Sequence, residues 1–456
     1  MKMFDSPMPL NSYLNRKLEC DCGHDHYAPI ETVEIGPGAL NKLPDCLKAH
    51  NYLHPYILCD RITYDVAGRK CEEILKSEGI DSKLLIISRL GFDEATLGEI
   101  IINLPENCDV MIGVGTGSIT DMLRYSSFKL RLPCITIATG APMDGFAASV
   151  GIMNVNNMKR TMNAHTTQTI IGDTDILKTA PYRMTVAGFG DLIGKITCLN
   201  DWELSRIING EHYCEKIVEL VSTCVDDVLS KASLIKLKDP EALGNIMEGL
   251  VLSGTAISLY GTSRPASGAE HHMSHFWETI MDQRHDRSSM HGEQVAVGTV
   301  LVLMLAEELR RLTPDFSAAR KAAEAYSASQ WTEKMKEVYG PAAEEIISLE
   351  EKSGKNNTEN VLKRIDSIET HWEEIVHQLE KLPSSEYLYS ILSDIGCPAL
   401  PEEIGIDDEL LKNTFLYCKE VRDRYTIFQL AYDLNVLNAV SDNVIARIKA
   451  LRKAKR

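Results

Sequence analysis

Val110-Met111-Ile112-Gly113-Val114-Gly115-Thr116-Gly117-Ser118-Ile119-Thr120-Asp121 carries an apolar segment of strand length into three glycines and on to a helical stretch, Met122 to Phe128. Glycine lets backbone N–H groups come close to a phosphate, and a helix starting just beyond it adds unsatisfied donors and the positive end of its dipole. The spacing is not Gly-x-Gly-x-x-Gly, and glycines after a strand also make tight turns. The loop alone therefore leaves two readings open, a nucleotide site or a strand-to-helix turn with no ligand. A second loop, Thr136-Ile137-Ala138-Thr139-Gly140-Ala141-Pro142-Met143-Asp144-Gly145, follows the next strand and would lie beside the first at the same sheet edge. Two adjacent Gly/Thr-rich strand ends favour the nucleotide reading.

Working outward, apolar runs at Tyr56–Cys59, Leu84–Ile87, Val110–Val114, Cys134–Ala138 and Thr169–Ile171 alternate with helical stretches such as Ala67–Ser77 and Ala95–Leu104. That alternation predicts a parallel, Rossmann-like sheet with crossover helices. From Pro181 onward helical spacing takes over, in Cys214–Ile235, Glu241–Leu259, Val295–Arg311 and Thr414–Leu434. A chain of 456 residues exceeds the size at which one core stops growing, about 250–300 residues. The expectation is an N-terminal extension over 1–29, a dinucleotide-binding α/β domain over 30–180 and an all-α metal- and substrate-binding domain over 181–456, with the active site in the cleft between them. Residues 313–382, rich in Glu, Lys and Ala, read as solvated helices with a polar loop near Lys352–Asn360 and are given no chemistry.

The composition, 44% hydrophobic and 25% charged, is that of an ordinary globular protein, and no stretch reads as long and apolar enough to span a bilayer. A formal charge of −17 disfavours nucleic acid and anionic membrane surfaces, which bind through clustered Lys and Arg. Met1 to Lys17 lacks the apolar core of a secretory signal, and the twelve cysteines are scattered, several inside apolar runs. Both features point to a cytoplasmic chain with reduced thiols.

Gly268-Ala269-Glu270-His271-His272-Met273-Ser274-His275 sets His271 and His275 four apart, on one helix face. Twenty residues beyond His271, Met290-His291-Gly292-Glu293 brings a third imidazole from another element. Catalytic metal sites combine imidazoles with a carboxylate and keep a position open. The best-placed carboxylate is Asp191, a lone acid among glycines in Gly188-Phe189-Gly190-Asp191-Leu192-Ile193-Gly194-Lys195. His272 points about 100° around the helix and reads as a non-ligand, as do His50, His54, His165, His212, His285, His371 and His377. Cys20-Asp21-Cys22-Gly23-His24-Asp25-His26 offers two thiols and two imidazoles to a second metal, but without the usual separation of ligand pairs. It is expected to be a flexible, solvent-facing segment.

Together these motifs resemble the superfamily of iron-containing alcohol dehydrogenases, glycerol dehydrogenase and dehydroquinate synthase. Within it they look most like the bacterial sn-glycerol-1-phosphate dehydrogenase family. The resemblance runs through Ile35-Gly36-Pro37-Gly38-Ala39-Leu40, the glycine loop, Pro142-Met143-Asp144-Gly145, Gly188-Phe189-Gly190-Asp191, Ser263-Arg264-Pro265-Ala266-Ser267-Gly268-Ala269-Glu270-His271, His291-Gly292-Glu293 and Arg422-Asp423-Arg424-Tyr425-Thr426. It implies Asp191, His271 and His291 as metal ligands, and Asp144, Asp191 and His275 as substrate contacts. It also implies Asp60, Gly117, Ser118, Ile119, Thr120, Asp121, Thr139, Gly140, Ala141 and Pro142 as the NAD or NADP site. Ala148 stands where a serine usually meets the cofactor, and Val114 where a glycine is common.

The implied reaction interconverts dihydroxyacetone phosphate and sn-glycerol 1-phosphate, with Asp191 and His275 as catalytic groups and one divalent metal per chain, zinc first and nickel or iron as alternatives. The substrate phosphate needs local cations in an acidic protein; Arg264 is the candidate and Lys195 the second. Asp60 suits a ribose hydroxyl, whereas Arg89 suits a 2′-phosphate. Glycerol dehydrogenase, a dehydroquinate-synthase-like lyase and a catalytically inactive binding protein are the alternatives. Members of the family self-associate, so a homo-oligomer is expected.

Overall fold

The computed structural model describes residues 10–89, 91–155, 158–284 and 289–454; His285, residues 1–9 of the extension and the last two residues of the basic tail lie outside them. Six strands, β3 (Thr32–Gly36), β4 (Pro55–Cys59), β5 (Lys83–Ile86), β6 (Val110–Gly115), β7 (Cys134–Ala138) and β10 (Thr169–Asp173), form one sheet in the order β5-β4-β6-β7-β10-β3. Every neighbouring pair is parallel. β1 (Lys17–Leu18) with β2 (His26–Tyr27) and β8 (Val150–Val155) with β9 (Met158–Asn163) make two small antiparallel ribbons.

β4, β6, β7 and β10 are buried at every residue, which is why they read as unbroken apolar runs rather than alternating ones. One core on the sheet joins Leu40, Leu43, Ile57, Ile112, Ile135, Ile137 and Ile171; another joins Tyr56, Leu58, Met111, Met122 and Leu123. Truncating such a residue, Ile135 for instance, to alanine costs about 2–5 kcal/mol. All five expected strands are present. β3 and the β8–β9 ribbon were not foreseen: β3 is only partly buried, and β8 alternates buried with exposed along a glycine-containing stretch.

Contacts divide the chain into two compact units, Met1–Leu192 with Lys216–Ser263, and Ile193–Glu215 with Arg264–Arg456. The division expected at residue 180 follows the change from strands to helices. Compactness instead keeps Lys216–Ser263 with the sheet, because the Pro240–Tyr260 helix packs there: a Cβ on Gly172 of β10 would lie 2.8 Å from Met247 Cγ. That helix departs from the expectation that no stretch is apolar enough to cross a membrane. It is long and apolar enough, with a mean hydropathy of 1.3, yet 67% of that window is buried inside the protein. It is a core helix.

In the second unit the helices Lys195–Asn209, Ala269–Arg284 and His291–Leu309 are largely buried. The single helix expected over Thr414–Leu434 is instead two, Asp408–Tyr417 and Ile427–Asp433. Side chains from elsewhere in the unit satisfy the backbone at the break: Asp201 Oδ1 accepts from Ile427 N at 2.8 Å, and Arg264 donates to the Tyr425 carbonyl at 3.2 Å. The helix expected over Cys214–Ile235 likewise breaks, into Glu215–Ser230 and Ala232–Ile235. Residues 313–382 are helical as expected, and the chain turns at Gly354, φ +58°, between Ala343–Ser353 and Thr358–Thr370. That turn is not solvated, however: Lys355 and Asn356 are buried against Glu420.

The Cys20–His26 segment is expected to face solvent, and Asp21, Gly23, His24 and Asp25 do. Residues 17–27 nevertheless fold back as the β1–β2 ribbon, and His26 is 1% exposed, with Nδ1 2.9 Å from the Leu259 carbonyl oxygen.

Candidate active site

In the first unit, strand order reverses between β4 and β6: the chain leaves β4 toward β5 and returns on the other side to build β6, β7 and β10. In open parallel sheets the carboxyl ends of the strands at such a point form the ligand crevice. Asp60 directly follows β4, Thr116 and then Gly117 follow β6, and Thr139 follows β7, where its N–H bonds the Gly115 carbonyl at 3.2 Å. Asp60, Gly117–Asp121 and Thr139–Pro142 thus stand at the ends of three adjacent strands.

The glycines of the loop do different jobs. A Cβ on Gly113 would lie 2.8 Å from Leu123 Cδ2 and one on Gly115 2.6 Å from Ile119, so both are required for the helix to pack on its own strand. A Cβ on Gly117 would find only Met143 Cε at 3.6 Å. Gly117 is the first residue of the helix Gly117–Leu130, whose N-cap, Thr116, makes no side-chain cap bond. Backbone donors at this end are therefore not claimed by a cap, as an anion site needs. Asp60 caps the turn Arg61–Thr63, accepting from Thr63 N at 2.8 Å. Asp121 pairs with Arg124 at 2.7 Å, and Arg124 also donates to the Ala148 carbonyl at 2.8 Å, tying the chain two residues before β8 to the helix. Burial pushes the Asp121 carboxyl up, and Arg124 opposes it.

Asp191 lies on the helix Tyr182–Ile193 and is fully buried. Gly188, one turn earlier, is why it sits there: a Cβ at that position would fall 1.9 Å from the Ala141 carbonyl oxygen. The helix backbone thus touches the Thr139–Pro142 loop directly. Asp191 Oδ2 accepts from Asp144 N at 2.9 Å, and Ser253 donates to Asp144 Oδ2 at 2.8 Å, so the two acids are fixed by one hydrogen-bonded chain.

In the second unit the three imidazoles form a cluster. Ring centroids are 5.2 Å apart for His271–His291, 5.8 Å for His275–His291 and 6.2 Å for His271–His275. Their orientation is set by neighbours that the sequence did not flag. Glu270, fully buried, accepts from Gly268 N at 2.7 Å and from Thr197 Oγ1 at 2.6 Å, and lies 2.7 Å from His271 Nδ1. Burial raises its carboxyl, but hydrogen bonds from His271, Thr197 and Gly268 hold it below the usual range. A carboxylate can only accept, so the His271 proton is on Nδ1 and the lone pair on Nε2. Ser274 Oγ donates to Gln294 Oε1 at 2.8 Å and meets His291 Nδ1 at 3.1 Å. Having spent its one proton, it accepts from Nδ1, and His291 likewise carries its lone pair on Nε2. Carbonyls or carboxylates behind an imidazole are the usual orienting partners of metal-binding histidines.

His275 Nδ1 is 3.6 Å from Glu278, and burial, opposed by Glu278, takes its pKa down to about 4, leaving it neutral near pH 7. Asp201 accepts from Ala269 N at 2.7 Å and so starts the helix that carries His271 and His275. Burial first, then the charge of Glu270, pushes Asp201 up to about 8. Arg264 is buried, with donors on the carbonyls of Asp201 at 3.0 Å and Tyr425 at 3.2 Å and on the Glu211 carboxylate at 3.0 Å. Lys195 is also fully buried. Arg424 donates to the Ser267 carbonyl at 3.1 Å, and burial together with repulsion by Arg264 lowers its pKa. Glu270, Thr197, Ser274, Gln294 and Asp201 escape sequence reading because buried orienting groups have no spacing signature; Glu270 adjoins a ligand candidate, which is the only hint.

Residues 34–181 match the family described as iron-containing alcohol dehydrogenase. The chain is 30% identical over 408 residues to a glycerol-1-phosphate dehydrogenase (NAD(P)+) of Bacillus velezensis, covering 87% of this chain and 90% of that protein. A protein of the same name from Halalkalibacterium halodurans is 29% identical over 423 residues, 91% of this chain and 95% of that one. Among solved structures, glycerol dehydrogenase from Schizosaccharomyces pombe aligns with a TM-score of 0.60 at 17% identity, over 92% of this chain and 91% of that chain, a likeness of fold.

Proposed function

Because the chain belongs to the glycerol-1-phosphate dehydrogenase family, we propose that it interconverts dihydroxyacetone phosphate and sn-glycerol 1-phosphate, using NAD or NADP and one divalent metal held by Asp191, His271 and His291. The observation that carries the reading is the pairing behind both imidazoles, Glu270 at His271 Nδ1 and Ser274 at His291 Nδ1, which leaves each Nε2 for a metal. With a buried carboxylate, two neutral imidazoles make a donor set that zinc, nickel or iron accepts. When bound, the metal supplies Lewis-acid stabilisation of the negative charge that grows on the C2 oxygen during hydride transfer.

The chain's own residues do the rest. Asp60, Gly117–Asp121, Thr139–Pro142 and Ala148 bind and orient the dinucleotide, its pyrophosphate on the open helix end at Gly117. Asp144, fixed by Ser253, and Asp191 contact the substrate hydroxyls. His275, neutral near pH 7, relays a proton from water to the alkoxide oxygen, one ring nitrogen accepting as the other donates, with Glu278 beside its ring. Arg264, the candidate from sequence, has its donors on Asp201, Tyr425 and Glu211 and braces the site, so the phosphate goes to Arg424, which is repelled by Arg264 and gains from an anion beside it. The net charge of −17 supports a small-molecule partner over nucleic acid or membrane insertion, and we assign the protein to the cytoplasm as a homo-oligomer.

The test is NAD(P)H oxidation with dihydroxyacetone phosphate, run before and after chelation and with zinc or nickel restored, with the product's stereochemistry determined. Turnover of glycerol but not of the phosphorylated pair would replace this reading with glycerol dehydrogenase. Arg424→Ala is expected to raise KM for dihydroxyacetone phosphate while leaving KM for NAD(P)H unchanged.

A further inference from the structure

We propose that Cys20, Cys22 and His26, with Cys214 as the fourth ligand, form a second metal site, a closed structural zinc centre independent of the catalytic one. The ligand atoms of Cys20, Cys22 and His26 all lie within 4.8 Å of one another, and Cys22 Sγ is 3.0 Å from His26 Nε2. A tetrahedral zinc at about 2.3 Å from sulfur and about 2.0–2.1 Å from nitrogen sets its ligand atoms roughly 3.5–3.8 Å apart, so the three are gathered at the scale such an ion requires.

The imidazole is oriented for the purpose. His26 Nδ1 faces the Leu259 carbonyl oxygen at 2.9 Å, an acceptor only, so the proton is on Nδ1 and the lone pair on Nε2, toward the thiols. An imidazole backed by a backbone carbonyl in this way is the usual second partner of a metal-bound histidine. The ring is 1% exposed, whereas His24, two residues earlier, is exposed and takes no part. Between the cysteines and His26 the chain reverses at Gly23, φ +86°, a left-handed conformation that glycine adopts without strain and that brings Cys20, Cys22 and His26 to one side of the β1–β2 ribbon.

The fourth position follows from the chain. Lys216 Nζ donates to the carbonyl of Glu19, the residue before Cys20, and Cys214 stands two residues before Lys216, a span of at most about 7 Å. Cys214 is fully buried. Three thiolates and one imidazole leave no open position and favour zinc, the signature of a structural rather than a catalytic ion. Binding releases the thiol protons and pins residues 17–27 to the end of the Pro240–Tyr260 helix at Leu259.

The full-length protein, stripped and reloaded with Co²⁺ alone, tests this. The expected result is a thiolate-to-cobalt charge-transfer band with tetrahedral visible bands, retained in His291→Ala and lost in Cys22→Ser together with one equivalent of tightly held zinc. In Cys214→Ser the charge-transfer intensity falls by about a third, one thiolate in three. Absence of the band in the unmutated protein, with these thiols equally reactive toward a disulfide reagent with and without zinc, overturns the site without recourse to any variant. An undiminished band in Cys214→Ser overturns the fourth ligand. Retention of the band in His291→Ala while activity is lost separates this site from the catalytic one.

Discussion

The glycine loop of the first unit and the imidazole cluster of the second solve opposite problems. The loop offers backbone: its chemistry depends on side chains that are missing, and Gly117 stays open where Gly113 and Gly115 are filled by their own helix. The cluster offers side chains, and its chemistry depends on a layer of buried partners, Glu270 and Thr197 behind His271 and Ser274 and Gln294 behind His291. A backbone site should therefore fail when an atom is added, and a side-chain site when one is removed.

The largest effect should come from removing a ligand. His271→Ala or His291→Ala is expected to cost roughly a thousandfold in kcat/KM, since several kcal/mol of charge stabilisation go with the metal, and elemental analysis of the purified variant should show the loss. Activity within tenfold of the parent would remove these residues from the metal site. Next, Glu270→Gln keeps the shape but not the charge behind His271. A loss of about 10–100-fold in metal affinity is expected, read by chelator competition, and an unchanged affinity would reduce Glu270 to a packing role.

In the loop the contrast is between neighbours. Gly115→Ala, whose Cβ would stand 2.6 Å from Ile119, should destabilise the fold by about 1–3 kcal/mol, as overpacking does, visible as a lower Tm. Gly117→Ala should change stability by no more than about 0.5 kcal/mol while raising KM for NAD(P)H. If both variants shift Tm equally and neither alters cofactor binding, the loop is a structural turn and the contrast between the two regions collapses.

What could be read in advance divides along the same line. Cys134–Ala138 was legible to the residue because a strand buried on both faces is a continuous apolar run. β3, with one buried residue in five, lacks that signature, and the break between Tyr417 and Ile427 depends on Asp201 and Arg264, more than 150 residues away in the chain. His271, His275 and His291 were legible from spacing, but their tautomers were not, because Thr197, Ser274 and Gln294 are ordinary residues until folding buries them beside an imidazole. In the Cys20–His26 segment Asp21, Gly23, His24 and Asp25 are exposed as expected, but the buried His26 was not legible for the same reason: the Leu259 carbonyl that holds it is 233 residues away.

The contact between Gly188 and Ala141 has a mechanical consequence. With no side chain between helix and loop there is no slack, since even one methyl group would overlap the Ala141 oxygen. The loop at residues 139–142 therefore cannot move toward the helix without pushing on the turn that leads to Asp191.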